Sequence, residues 1–418
     1  MLFLKGHPAA GGIARGRLMF LDQPTTAGAG NAPARTLEDF RRALRQTEIQ
    51  LERLQQQMEQ RLEDAAALIF SAHLLMLKGD AFSGAMIRAI KGGAPPAAAE
   101  GVPPDLTPET AAASGERFRV MANMNLLSDL LAVREMKAEG VGLYRAEFPF
   151  IVRHDFPSEE EQCRIYRRIL DELSGQEVVF HTLDIGGDKM LSYYPTPGEA
   201  NPFLGLRAIR FSLRNQAVFS QQIRALLRAG SERELSILFP MIASLDEWLA
   251  VRSIVQACVD ALAREGIPHQ AAPRLGAMIE VSAAMEIAEE LAAHADFLSI
   301  GTNDLVQYLL AVDRTNEQIS DLYQSHHPAV LRALHRVAQA ALRRGRPVSV
   351  CGDMAADRRM IPFLAGIGIR TFSVNPRSRP ACQLVLRGLD LRRAEEQARG
   401  MLKAGTLREV EALMAPPE

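Results

Sequence analysis

Between residues 117 and 375 the sequence repeats one pattern eight times: a short apolar run, then a longer stretch with helical periodicity. The runs are "RFRVMANMN" (117–125), "GVGLYR" (140–145), "EVVFHTLD" (177–184) and "LSILFPMI" (235–242) in the first half. "RLGAMIEV" (274–281), "DFLSIGTND" (296–304), "PVSVCGDM" (347–354) and "IRTFSVN" (369–375) follow. Most are apolar on both faces, as strands of a parallel sheet covered by helices must be. Sequence such as "SLDEWLAVRSIVQACVDALAREG" (244–266) supplies the helices between them. Eight strand–helix repeats point to an α/β fold, a closed (β/α)8 TIM barrel. An open doubly wound sheet is the alternative, but its dinucleotide glycine pattern is missing: "GIGIRTF" lacks the third glycine.

The repeats define one domain, residues 117–418. Upstream, residues 1–91 read as strand-like fragments followed by a helical hairpin. Leu37, Leu44, Leu51 and Met58 recur every seven residues there, with Gln, Glu and Arg on the outer face. A partner-binding or dimer coiled coil is the other reading of that seam. Residues 92–116, rich in Ala, Pro and Gly, read as a linker. The net charge of −2 gives no reason to expect nucleic acid or an acidic membrane as partner. The four cysteines, Cys163, Cys258, Cys351 and Cys382, form no CxxC pair, so neither zinc nor a disulfide framework is indicated. With no leader pattern and no membrane-length apolar run, a cytoplasmic protein is the expectation.

In such barrels the chemistry sits at the C-terminal ends of the strands. Reading along those ends gives Arg145 and Glu147 on the second run, His181 and Asp184 on the third, and Glu280 on the fifth. Asn303 and Asp304 end the sixth run and Cys351 the seventh, while Arg207 and Arg314 lie in the loops "NPFLGLR" and "AVDR". After His181 comes "DIGGDK", where Gly186 and Gly187 allow close backbone approach and Lys189 supplies a mobile charge. Arginines and a lysine suit phosphate and carboxylate. Two carboxylates with few other ligands suit Mg²⁺, which keeps waters and borrows substrate oxygens. The ligand implied is a small phosphorylated carboxylate bound with Mg²⁺.

"GVGLYRAEFPF", "TLDIGGDK", "NPFLGLRAIR", "MIEVSAA", "SIGTNDLVQYLLAVDR" and "CGDMAADR" occur in this order. Together they resemble the phosphoenolpyruvate-binding barrel of enzyme I of the phosphotransferase system, the phosphoenolpyruvate–protein phosphotransferases. "PFIVRHDFPSEEEQ" and "HHPAVLRAL" are most similar to its nitrogen-regulatory branch, and "AAGGIARG" and "IFSAHLLML" to its N-terminal, carrier-binding region. The resemblance implies that Glu280 and Asp304 hold Mg²⁺. It implies that Arg145, Arg207, Arg314 and Lys189 bind phosphate and carboxylate, that Asn303 adds a polar contact, and that Cys351 protonates the enolate. It also implies a histidine-containing phosphocarrier protein as partner and a homodimer.

Two departures stand out. The family usually reads "RTLDIGGDK", and His181 replaces that arginine. An imidazole has an ordinary pKa of about 6.5 and cannot make a guanidinium's bidentate fork, so one phosphate contact is weakened or made pH-dependent. The family also carries its acceptor histidine in a "GGxxSH"-like stretch before the barrel, and none of the nine histidines here has that context. The expectation is therefore a phosphotransferase-like chain whose acceptor histidine comes in trans. The alternative is a catalytically silent protein that senses phosphoenolpyruvate or occupies a partner surface.

Overall fold

The computed structural model describes residues 106–414 except 152, 187–190, 192 and 195–198. The expected N-terminal hairpin, Gly187 and Lys189 lie outside the described residues.

Nine strands form one sheet in chain order. β1 (Thr110–Ala111) runs antiparallel to β2 (Arg117–Met124). From β2 on, each neighbour is parallel: β3 (Gly140–Arg145), β4 (Glu177–His181), β5 (Ser236–Phe239), β6 (Arg274–Ile279), β7 (Phe297–Gly301), β8 (Val348–Cys351) and β9 (Thr371–Val374). β9 then pairs back onto β2, from Arg119 opposite Thr371 to Ala122 opposite Val374. That closure makes the eight parallel strands a barrel, the (β/α)8 fold expected from the apolar runs. Several strands end before their apolar runs do. β4 stops at His181, whereas the run extends to Asp184, because the chain there turns onto the rim.

Helices cover the outside. Glu159–Glu172 opens with a capping box: Ser158 Oγ accepts from the Glu161 amide at 3.3 Å, and the Glu161 carboxylate accepts from the Ser158 amide at 2.8 Å. Outward-facing Phe118, Tyr144, Phe180 and Phe239 bury themselves between sheet and helices with Trp248. Tyr144, Tyr166 and Phe180 meet edge to face, with centroids 5.4–6.3 Å apart. Burying each such ring stabilises the fold by roughly 1.5–3 kcal/mol.

Inside, the barrel is layered. Its base is an ion cluster in which Glu177 takes Arg119 at 2.8 Å and Arg274 at 3.0 Å, with Ser236 donating at 3.3 Å. Above it Leu143, Val179, Leu238, Met278, Phe297 and Cys351 fill the centre. The upper rim is polar. Alternation along a strand sets this order: Glu177, Val179 and His181 of β4 stand one above another.

The last part of the Ala/Pro/Gly-rich stretch packs on the barrel. Leu106 and Thr110 are buried, and Arg379 reaches over them from the helix Arg379–Arg387. Its guanidinium, fully buried, donates to the carbonyls of Thr107 (2.8 Å), Pro108 (2.6 Å), Val120 (3.3 Å) and Met136 (2.8 Å). One turn on, Gln383 donates to the carbonyls of Thr107 and Glu109 and to Thr110 Oγ1. Arg379→Ala would strand these carbonyls away from water, with an expected loss of about 3 kcal/mol. Urea unfolding of the two proteins measures it, and equal midpoints would contradict the clamp.

Candidate active site

Three loops meet at the upper rim around one arginine. Arg207 is buried and donates through Nε and Nη2 to the two oxygens of Asp184, at 2.9 and 3.0 Å. The same guanidinium donates to Asp304 at 3.0 Å through Nη2 and 3.4 Å through Nη1, and to the Tyr308 hydroxyl at 3.1 Å. Burial works against its charge, but the two carboxylates outweigh this and raise its pKa above the ordinary value. Asp184 follows β4, Arg207 precedes the helix Ile209–Arg214, and Asp304 lies in the first turn of Thr302–Leu310.

The backbone bends to allow this. Gly186 has φ of 107°, and a Cβ there would lie 2.4 Å from the Leu206 carbonyl oxygen and 2.9 Å from Arg207 Cα. Only glycine lets the two loops cross so closely. Ala208 takes φ of 52°, a strained value for a residue with a side chain, while its amide donates to the Ile185 carbonyl at 3.0 Å. Behind the loop, the Leu183 amide is received by buried Gln222 at 3.0 Å.

Glu280, at the end of β6, stands beside this pair of acids. Its Oε1 accepts from the Met241 amide at 2.7 Å, and Met241 holds a left-handed φ of 56° to present that amide. Burial, then the charges of Asp304 and Asp184, push the Glu280 carboxyl up to about 8; Arg207 and the Met241 amide oppose them. Arg314 approaches Asp304 at 3.8 Å. Tyr323 donates its hydroxyl to the Asn303 carbonyl at 3.0 Å, and Asn303 Oδ1 accepts the Asp353 amide at 2.9 Å.

Cys351 closes the site from below. It is buried, its thiol donates to the Ile300 carbonyl at 3.4 Å, and its own carbonyl accepts from Thr302 Oγ1 at 2.7 Å. Gly352 follows with φ of 87°; a Cβ there would strike Thr302 Oγ1 at 2.3 Å. Burial pushes the Cys351 thiol up to about 12, with Arg145 pulling it down and Glu280 adding to the rise. It is a protonated thiol, suited to giving a proton rather than to nucleophilic attack. Arg145 and His181 are register neighbours on β3 and β4, and His181 is buried.

The residues read from the sequence are thus largely brought together. Arg207, Glu280, Asp304 and Arg314 form one charged cluster, Cys351 lies within electrostatic reach of Arg145 and Glu280, and Asn303 adjoins the loop after Cys351. Lys189 lies outside the described residues. The sequence reading left out Asp184 as the buried partner of Arg207, and left out Tyr308, Tyr323 and the Met241 amide. Tyr308 sits one turn after Asp304 on the same helix face, a spacing that could have marked it. Met241 stands at the end of the fourth apolar run, but nothing local marks its amide as a partner of Glu280. Among the described residues, no group of three or more His, Cys, Asp or Glu is arranged to hold a metal ion. Glu280 and Asp304 are the two carboxylates that could share one.

Residues 104–391 match the PEP-binding domain of the PEP-utilising enzymes, and residues 5–102 match the N-terminal part of the same family. The chain belongs to the PEP-utilising enzyme family. The phosphoenolpyruvate-protein phosphotransferase of Lactococcus lactis subsp. cremoris is 40% identical over 309 residues, covering 73% of this chain and 54% of that protein. The protein of that name from Geobacillus stearothermophilus is 42% identical over 301 residues, covering 72% and 52%. That from Priestia megaterium is 45% identical over 270 residues, covering 65% and 47%. The chain therefore spans about half the length of the curated relatives it matches. A solved citrate lyase from Burkholderia xenovorans LB400 aligns at a TM-score of 0.41 and 15% identity, over 68% of this chain and 81% of that one. That likeness is too loose to carry an argument. No helix among the described residues is long and apolar enough to cross a membrane.

Glu280 binds its proton more tightly folded than unfolded, so its contribution to stability is full below the ordinary value of 4.5 and is lost as pH rises toward about 8. Without divalent cation, unfolding free energy should fall across that window by at most about 1.4 kcal/mol per pH unit. Glu280→Gln should flatten this slope. Urea unfolding in chelator at several pH values, for both proteins, measures the difference, and identical slopes would contradict the assignment.

Proposed function

We propose that the barrel binds phosphoenolpyruvate together with Mg²⁺ and passes its phosphoryl group to a histidine supplied by another chain. The observation that carries this reading is the rim cluster of buried Arg207, Asp184 and Glu280 with half-buried Asp304, above a protonated Cys351. That the relatives are phosphoenolpyruvate-protein phosphotransferases supports the same reaction class.

Mg²⁺ suits the donor set. Glu280 and Asp304 repel each other in a buried place, so a divalent cation would relieve the charge that pushes Glu280 up. Two carboxylates leave room for the waters and substrate oxygens that Mg²⁺ keeps. When bound, the ion supplies positive charge against the transferring phosphoryl group.

The chain's own residues do the rest. Arg145, Arg314 and Lys189 take the phosphate and carboxylate of the substrate, with His181 in the place of a further arginine and Asn303 as a polar contact. Arg207 has each of its three nitrogens on protein acceptors, so it acts first by fixing Asp304. Once the phosphoryl group has left, an enolate remains. The Cys351 S–H bond breaks and a C–H bond forms at the enolate methylene carbon, giving pyruvate. A phosphocarrier partner, a cytoplasmic location and a homodimer belong to the same proposal and rest on the family likeness.

A second reading is a catalytically silent phosphoenolpyruvate sensor. The two family matches adjoin at residues 102 and 104, which leaves no acceptor domain between them, and His181 weakens one anion contact. The test supplies the acceptor separately, as the isolated phosphohistidine domain of a full-length relative, with phosphoenolpyruvate and Mg²⁺. Pyruvate release should appear, and Cys351→Ala should slow it about 10²-fold or more while leaving phosphoenolpyruvate binding intact. Tight binding with no pyruvate from the wild-type chain would favour the sensor.

A further inference from the structure

A thiol buried beneath the substrate site must regain its proton after each turnover. The barrel interior contains a route. Ser299 on β7 and Ser349 and Cys351 on β8 lie on the inward faces of adjoining strands. Ser349 Oγ donates to Ser299 Oγ at 3.0 Å, Ser299 Oγ reaches Cys351 Sγ at 3.9 Å, and the thiol donates to the Ile300 carbonyl at 3.4 Å. The donations form one chain, from Ser349 to Ser299, from Ser299 to Cys351, and from Cys351 to the Ile300 carbonyl. Ser299 is buried, whereas Ser349 is half-buried and sits at the level of the basal residues, paired with Thr371. The centre of the barrel is otherwise apolar, with Leu143, Val179, Leu238, Met278 and Phe297 around Cys351, so apolar packing alone gives no reason for two bonded hydroxyls beside it.

We propose that Ser349 and Ser299 form a proton relay that reprotonates Cys351 from the base of the barrel, the end opposite the substrate rim. The inference rests on the reading of Cys351 as proton donor to the enolate. The balance is simple. Cys351 gives its proton to carbon and is left as thiolate. The Ser299 O–H bond breaks as a new S–H bond forms. The Ser349 O–H bond breaks as Ser299 regains its hydrogen, and Ser349 takes a proton from a solvent water whose hydroxide is neutralised by bulk buffer acid. Substrate can then occupy the rim without blocking the proton supply. Both serines act through Cys351 and are positioning residues.

The test reads the thiol itself. The full chain is transferred into deuterated water, and conversion of the Cys351 S–H stretching band to S–D is followed by infrared spectroscopy, with Cys351→Ala identifying the band. Ser299→Ala and Ser349→Ala should each slow the exchange about 10²-fold. Ser299→Thr, which keeps the hydroxyl, should restore it. The exchange rates of Cys163, Cys258 and Cys382 should be the same in the variants as in the wild type, which excludes a general change in opening of the fold. Unchanged Cys351 exchange in both alanine variants would overturn the relay. Exchange of pyruvate methyl hydrogens in the same solvent with Mg²⁺ reports separately on the phosphotransferase reading. Its absence in the wild type contradicts that reading, and the infrared result still decides the relay.

Discussion

The site depends on one guanidinium held between two acids. Arg207 joins Asp184, which follows β4, to Asp304, in the first turn of the helix after β7, and adds the hydroxyl of Tyr308. Each loop alone would have several conformations. The shared buried charge leaves one. Removing either acid would leave the buried cation on one carboxylate with part of its hydrogen bonding unmade, a cost of about 1–3 kcal/mol. Burial raises the Glu280 carboxyl most, and the same arrangement adds to the rise by placing Asp304 and Asp184 beside it.

The barrel sets these groups at one height. A basal ion cluster around Glu177, an apolar centre and a polar rim follow from alternation along the strands. Cys351 stands where the centre meets the rim, and that location accounts for its chemistry. Apolar neighbours keep the thiol protonated, while Arg145 and the rim lie just above it. Strain is placed near the same rim: Ala208 and Met241 both hold positive φ values beside residues of the charged cluster.

Much of this was legible in the sequence. Eight apolar runs gave eight strands because parallel strands buried on both faces leave a strong local signal. The rim residues were legible because barrel chemistry gathers at strand ends, and Glu280, Asp304, Arg207 and Arg314 indeed converge. What local sequence did not carry was pairing over distance. Composition marked residues 92–116 as a linker, yet Arg379 and Gln383, far along the chain, hold residues 107–110 against the barrel. Asp184 was visible at its strand end, but its partnership with Arg207 depends on a loop crossing at Gly186. The Met241 amide has no side-chain signature at all.

The central claim is that the rim cluster is a cation-dependent phosphoenolpyruvate site. Calorimetric titration of phosphoenolpyruvate into the folded chain, with Mg²⁺ and with chelator, at pH 6 and pH 8, tests it most directly. Binding heat that depends on Mg²⁺ is the expected result at both pH values. Equal heat with and without Mg²⁺, or none in a folded sample, would contradict it.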